Sequence, residues 1–160
     1  MLYKCYLKRG NVYVPTVVRL QSPVYMDVEP VAVVPVTDTA GLRKAFFDTI
    51  ARKNDSVTPS IEQIRGRPAV LKYSRDRSWS AFQRGAADWH IDEKNGNYRI
   101  VPHRTHAKGY WEEDPDQTIR FPSGTKIDRV IDRVIAILQD AAAQHPPDGE
   151  KASSKRAPKK

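Results

Sequence analysis

The chain has 160 residues, of which 39% are hydrophobic and 29% charged, as is typical of one globular domain. No apolar run reaches the roughly 18 residues that a membrane span needs, and charges close to the N-terminus argue against a secretory signal. The single cysteine, Cys5, excludes an internal disulfide framework and favours a reducing, cytoplasmic setting.

The net charge of +8 at pH 7 favours a polyanionic partner such as nucleic acid, although many globular proteins carry a basic surface without one. Segment 144–160 is rich in Pro, Lys and Ser and has no large apolar side chain. Such a segment cannot bury enough surface to offset the entropy of ordering. We therefore predict a single domain over residues 1–143, followed by a disordered basic tail over 144–160.

Two β-like runs flank Gly10 and Asn11, and a turn at these two residues predicts a β-hairpin. Side chains alternate across a strand, so one face of this hairpin is apolar and is expected to meet the core. The opposite face carries Lys4, Tyr6, Lys8, Tyr13 and Val17. Aromatic rings can stack on bases while basic groups hold phosphates, so the two lysines and two tyrosines are predicted to bind nucleic acid.

The middle and the end of the chain carry helical patterns. Residues 37–54 have apolar side chains at helical spacing behind a Thr or Asp cap, and a strand over 69–73 and a short helix over 78–86 are predicted next. Segment 121–144 contains the most amphipathic helix, with the apolar stripe Ile127, Val130, Ile131, Val134, Ile135, Leu138 and Ala141. Because such helices must cover a sheet, we predict an α+β fold: a twisted, mainly antiparallel sheet with two or three helices packed on one face.

The pair Asn95-Gly96 predicts a second hairpin, because both central residues of a type I′ turn need a positive φ. A turn there pairs Asp92 with Arg99 and Asp88 with His103. One face then carries the core side chains Trp89, Ile91, Tyr98 and Ile100. The other face carries Asp88, His90, Asp92, Arg99 and His103, and we expect it to be wet.

This polar face allows four interpretations. His90 and His103, helped by Arg99, could cleave RNA by general acid–base chemistry. The same histidines, with Asp88 and His106, could bind a metal. Their spacing matches no standard zinc motif, so neither a metal nor a cofactor is predicted. Arg99 and His103 could instead belong to a docking surface, or the face could simply be solvated.

The runs SWSAFQRGAADW and GYWEEDPDQTIRFPSGTKIDRVIDRVIAIL resemble a group of small uncharacterised bacterial proteins. The resemblance covers residues 1–142. It implies a bacterial, cytoplasmic, single-domain protein, and it carries no activity with it.

The sequence therefore predicts a small cytoplasmic binding module, nucleic-acid-associated and regulatory, with no membrane partner. It would bind through the first hairpin, Arg99, His103 and Trp111, since one of the adjacent rings Tyr110 and Trp111 should point outward as a partner anchor. A protein-interaction module, such as an immunity or antitoxin-like inhibitor of a bacterial effector, is the first alternative. A metal-independent ribonuclease using His90 and His103 is the second. Other catalytic signatures are absent from the sequence, which favours a protein that is not an enzyme.

Overall fold

The computed structural model describes residues 1–20, 24–58, 60 and 66–144, so the predicted tail lies outside the described residues except for Gln144. Seven strands form one sheet in which neighbouring strands are antiparallel. They are β1 (Leu2–Lys8), β2 (Asn11–Arg19), β3 (Tyr25–Pro35), β4 (Ala87–Lys94), β5 (Asn97–Thr105), β6 (Trp111–Glu113) and β7 (Ile119–Arg120). Their order is β3-β2-β1-β4-β5-β6, and β7 also pairs with β5.

The described residues also form α-helices and 3₁₀ turns. The α-helices are α1 (Thr39–Arg52), α2 (Trp79–Gln83) and α3 (Ile127–Gln144), and the 3₁₀ turns are Ala69–Lys72 and Pro115–Gln117. Asp38 caps α1 by accepting a hydrogen bond from the Gly41 amide at 2.9 Å. No helix of the described ranges is both long and apolar enough to cross a membrane.

The first core lies between the sheet and the two long helices. The sheet contributes the face that the alternation predicted, including Cys5, Val14, Trp89 and Ile91, and α1 and α3 cover it with their apolar stripes. The buried apolar residues of α1 and α3 are Leu42, Ala45, Phe46, Val130, Ile131, Val134, Ile135 and Leu138. This arrangement confirms the predicted α+β fold, with two helices on the face where they were expected.

The second hairpin forms in the predicted register. Asn95 and Gly96 have φ values of 55° and 73°, and the turn pairs Asp92 with Arg99. The positive φ values are those that a type I′ turn requires at its two central residues, so the local signal fixed the register.

The first hairpin turns one residue earlier than predicted, at Arg9 and Gly10, which have φ values of 50° and 74°. Leu7 therefore pairs with Val12, and Val12 is fully buried. A turn at Gly10 and Asn11 would have paired Val12 with Arg9 at the exposed tip, so burial of Val12 favours the observed register. Each β1 residue therefore lies opposite a β2 residue two positions earlier than predicted. A shift by an even number of residues leaves the side chains on their predicted faces.

The opposite face of the sheet is covered too, by a second layer that comprises residues 69–84. The predicted strand over 69–73 is wrong, because Ala69–Lys72 forms a 3₁₀ turn. An apolar run this short is compatible with either structure, and here its apolar side chains are buried. α2 follows, capped by Ser78 as an acceptor for the Ala81 amide. The resulting second core contains Tyr6, Tyr13, Val31, Ala69, Val70, Leu71 and Phe82.

Lys8 fastens the second layer to the sheet. Its side chain is 3% exposed, and Nζ donates to the carbonyl oxygens of Ala81 (2.6 Å) and Phe82 (2.7 Å) and lies 3.1 Å from the Asp76 carboxylate. Burial lowers the pKa of Lys8, and the pairing with Asp76 offsets part of that shift. Burial acts to raise the pKa of Asp76, but Lys8 and Arg9 bring it below its ordinary value. An ammonium this buried is stable only while all its partners stay in place.

Replacing Lys8 should therefore destabilise the protein strongly. We expect Lys8→Met to lower the free energy of unfolding by about 3 kcal/mol, because it leaves a buried carboxylate and two carbonyl groups short of a donor. Arg9→Met is the matched control: Arg9 pairs with the same carboxylate, but its side chain is 58% exposed. It should cost at most about 1 kcal/mol. Equal losses in urea denaturation would contradict the role given to Lys8.

Candidate functional site

The structure places three of the predicted binding residues, Tyr6, Tyr13 and Trp111, in or against the second core, and Lys8 beside it. Tyr6 is 2% exposed, Lys8 3% and Tyr13 6%, so the prediction that these side chains form an open binding face is wrong. The half-buried Trp111 stacks on Tyr6 with their ring centroids 5.7 Å apart. Lys4 is half-buried and pairs with Asp27 at 3.0 Å. The second layer covers the rings, so a base cannot stack on them in this conformation.

The polar face of the second hairpin forms a compact group beside this core. Asp88 and His90 come from β4, and His103 comes from β5 directly across from Asp88. Asp88 Oδ2 lies 3.4 Å from His90 Nε2 and 3.4 Å from His103 Nδ1. The two imidazole centroids are 3.9 Å apart. We call Asp88, His90 and His103 the carboxylate–histidine cluster.

The cluster is much more buried than a wet strand face. The side chains of Asp88, His90 and His103 are 4%, 19% and 8% exposed. Burial lowers the pKa of His103, and repulsion from His90 lowers it further, against the opposing effects of Asp88 and Glu113. Among the described residues, neither Asp88 Oδ1 nor His103 Nδ1 has a hydrogen-bond partner. The expectation of a solvated face is therefore wrong for the side chains of Asp88 and His103, whereas His90 is partly exposed.

Arg99 lies at the edge of the cluster and is engaged by carboxylates. Its Nε donates to Asp92 at 2.6 Å, a terminal nitrogen lies 2.5 Å from the same carboxylate, and Glu113 lies 3.8 Å away. The guanidinium is thus neutralised by the residue that the predicted register placed opposite it. About one third of its side chain is exposed.

The arrangement argues against a ribonuclease that uses paired histidines. A general acid and a general base must stand on either side of the reacting phosphate. Here the rings of His90 and His103 touch each other, and both face the same Asp88 carboxylate. No phosphate fits between rings whose centroids are 3.9 Å apart.

His106, the further histidine considered for a metal, is not part of the cluster. Its ring stacks on Tyr110 with the centroids 4.4 Å apart, and its Nδ1 accepts a hydrogen bond from the Lys108 amide at 3.1 Å. Tyr110 is 50% exposed, whereas Trp111 points into the second core. The outward ring of this adjacent pair is therefore Tyr110, and the prediction of Trp111 as an exposed anchor is wrong.

An open cleft of about 840 Å³ borders the cluster and has His90 in its wall. Arg99, Glu113, Tyr25 and Phe121 also line it. The cleft gives small solutes a route to the exposed side of the otherwise buried cluster.

Sequence reasoning missed a second surface, formed by arginines at the edge of the second layer. Arg75, Arg77 and Arg84 are exposed, and no described carboxylate forms an ion pair with them. Arg9 and Arg84 both lie close enough to Lys8 to lower its pKa. We call Arg9, Arg75, Arg77 and Arg84 the arginine rim.

No protein-family model matches the chain, and no curated protein matches it. Among solved structures it is similar to a protein of unknown function from Neisseria meningitidis. The two are 15% identical, the likeness covers 89% of this chain and 93% of that chain, and the TM-score is 0.59. At this identity the likeness shows the fold alone, in agreement with the resemblance to uncharacterised bacterial proteins.

The burial of His103 predicts a stability that depends on pH. Its pKa in the folded protein lies below the ordinary value, so the unfolded chain binds more protons in the intervening range. The stability contributed by neutral, buried His103 is fully present above the pKa of about 6.5 that histidine has in the unfolded chain. It is lost as the pH falls toward the lower pKa of the folded protein.

We therefore expect the free energy of unfolding, measured in EDTA, to fall between about pH 7.5 and 5.5, and to fall less in His103→Gln. His106→Gln, which leaves His103 in place, should keep the wild-type slope. A slope that is the same in wild type and His103→Gln would contradict the burial of this histidine.

Proposed function

We propose that this protein is a small regulatory module that binds nucleic acid through the arginine rim. The observation that carries the proposal is the presence of three exposed arginines, Arg75, Arg77 and Arg84, without a carboxylate partner among the described residues. Arginine presents a planar fork of donors that matches phosphate oxygens, so unpaired arginines in one segment suit a phosphate backbone.

The second layer holds these arginines in a defined place. Asp76, which lies between Arg75 and Arg77, is 4% exposed and pairs with both Lys8 and Arg9. Arg84 directly follows α2, whose last turn is held by the Lys8 ammonium through the Phe82 carbonyl. Little conformational entropy is then lost when the backbone of this segment meets a ligand.

The helix layer on the other side of the sheet offers a useful contrast. There Arg43 pairs with Asp132 and lies 3.8 Å from Asp128, and Lys44 lies 2.6 Å from Asp48, whereas Arg129 and Arg133 are exposed without an ion pair among the described residues. In each of these pairs the carboxylate offsets the positive charge of its basic partner. Within the described ranges one carboxylate, Asp76, pairs with the arginine rim, whereas Asp48, Asp128 and Asp132 lie among the basic side chains of the helix layer. The arginine rim is therefore the stronger candidate for a polyanion.

An exposed aromatic ring close to the rim in sequence also supports this function. Tyr73, next to the rim in sequence, is 43% exposed and has its hydroxyl held by Glu29 at 2.7 Å, so its ring is available for stacking on a base.

The sole cysteine, Cys5, is fully buried, and burial raises the pKa of its thiol. An unreactive thiol of this kind suits the cytoplasm, where we place the protein.

The proposal is tested by fluorescence anisotropy of labelled single-stranded RNA and duplex DNA against the full chain, over a salt series. The rim variant carries Arg75→Gln, Arg77→Gln and Arg84→Gln. The control variant carries Lys126→Gln, Arg129→Gln and Arg133→Gln, which removes the same charge from exposed positions at α3. We expect the rim variant to bind at least about tenfold more weakly, with a salt slope smaller by roughly 2 to 3.

Equal weakening in the two variants would contradict the rim as the binding surface and indicate attraction by net charge alone. Wild-type protein that binds neither RNA nor DNA would overturn the nucleic-acid proposal. An acidic protein partner, such as the effector of an immunity or antitoxin-like inhibitor, would then be the next candidate for the same arginines.

A further inference from the structure

The spacing of the carboxylate–histidine cluster is unusual for hydrogen bonds. Charge-assisted hydrogen bonds between nitrogen and a carboxylate are about 2.7–2.9 Å long. Both imidazole nitrogens lie 3.4 Å from Asp88 Oδ2 instead. A tetrahedral zinc ion with bonds of about 2.05 Å holds its ligands roughly 3.3 Å apart. The two separations in the cluster thus match the edges of a metal coordination tetrahedron.

The third separation, between the donor atoms of His90 and His103, is at most 4.8 Å. The donor atoms of Asp88, His90 and His103 all lie within 4.8 Å of one another. The side chains come from adjacent strands of a tight hairpin, so the backbone holds them in this arrangement.

Two buried polar atoms of the cluster have no hydrogen-bond partner among the residues that the structure describes. Asp88 Oδ1 and His103 Nδ1 accept or donate no hydrogen bond within the described part of the chain, and their side chains are 4% and 8% exposed. An unsatisfied buried polar group costs about 1–3 kcal/mol. A cation held by Asp88 Oδ2 and the two imidazoles would bind His103 Nδ1 directly and would neutralise the Asp88 carboxylate, which lowers this cost.

The neighbouring charges permit a cation at this position. Lys4 of β1 lies directly opposite His90 of β4, but its ammonium is neutralised by the Asp27 carboxylate at 3.0 Å. Arg99 is neutralised by Asp92 at 2.5 Å. Glu113 of β6 lies directly opposite His103 of β5 and adds negative charge beside the cluster. An incoming dication would therefore meet a buried carboxylate rather than an uncompensated lysine or arginine.

We propose that Asp88, His90 and His103 bind one divalent transition-metal ion, for which Zn²⁺ is the best match. Two imidazoles and one carboxylate suit Zn²⁺ and its first-row neighbours, whereas Mg²⁺ and Ca²⁺ prefer oxygen ligands alone. Three protein ligands leave a coordination position for water or a small ligand. The cleft that His90 lines gives the ion access to the cluster.

The test uses the full chain after removal of bound metal with a chelator. Co²⁺ is the spectroscopic probe, because its visible absorption reports coordination number, and Zn²⁺ affinity is measured by competition with Co²⁺. His90→Gln and His103→Gln remove one ligand each. The control is the double variant His106→Gln and His145→Gln, which removes both remaining histidines of the chain and leaves the cluster intact.

We expect one Co²⁺ per wild-type chain, displaced by one Zn²⁺, and a Zn²⁺-dependent rise in melting temperature. The control should behave like the wild type. Each cluster variant should bind Zn²⁺ at least about 100-fold more weakly, because loss of a residue that only supports a metal ligand already lowers metal affinity about 10- to 100-fold. His90→Gln keeps the test valid if His103→Gln fails to fold, because His90 is the more exposed ligand.

Either of two results would overturn the proposal. One is a wild-type protein whose folded state binds neither Co²⁺ nor Zn²⁺. The other is binding that survives in His90→Gln and disappears in the double control, which would assign the metal to histidines outside the cluster. Both results are independent of nucleic-acid binding, because the arginine rim shares no residue with the cluster.

Discussion

The burial of the Lys8 ammonium group requires that both faces of the sheet are covered. Lys8 sits on the central strand β1, and its Nζ is enclosed by Asp76 and by the carbonyl groups of Ala81 and Phe82. A lysine can be taken from water only when such partners replace its hydration. The second layer over residues 69–84 must therefore close against the sheet, and both faces of the sheet become core.

Closure of the second layer determines which surfaces remain for function. The rings of Tyr6, Tyr13 and Phe82 are packed against one another, so they stabilise the fold instead of meeting a ligand. The same closure brings Arg75, Arg77 and Arg84 out to the surface beside Arg9. Beside the second core, on β4 and β5, Asp88 is buried between His90 and His103. The proposed phosphate-binding surface and the proposed metal-binding cluster are thus two separate consequences of one arrangement of layers.

The sequence was a good guide to local structure. The pair Asn95-Gly96 set the register of the second hairpin, because few residues tolerate two consecutive positive φ values, and that register correctly placed Asp88 opposite His103. The stripes of α1 and α3 were equally clear, since helical periodicity specifies which side is buried. The turn of the first hairpin was misplaced by one residue, because Gly10 belongs to both candidate turns.

What covers each face was harder to predict. Alternation assigns a side chain to a face but does not show whether another layer lies over it, and Lys8 meets Asp76 across 68 positions of sequence. A face with lysines and tyrosines therefore looked exposed. The burial of the histidines was missed for the same reason. The sequence allowed a metal at Asp88, His90 and His103 but did not predict one, because standard zinc motifs lie within one chain segment, whereas these residues face each other across a hairpin.

The central claim, that the second layer closes over Lys8, is tested most directly by labelling amines in the native protein and mapping the products by mass spectrometry. Lys44 and Lys72 serve as internal references, since their side chains are 77% and 62% exposed. The lowered pKa of Lys8 would make an accessible amine more reactive than either reference. We predict that Lys8 is labelled far more slowly than both, and that denaturant abolishes the difference. Labelling of Lys8 at the rate of Lys44 in the folded protein would contradict the account.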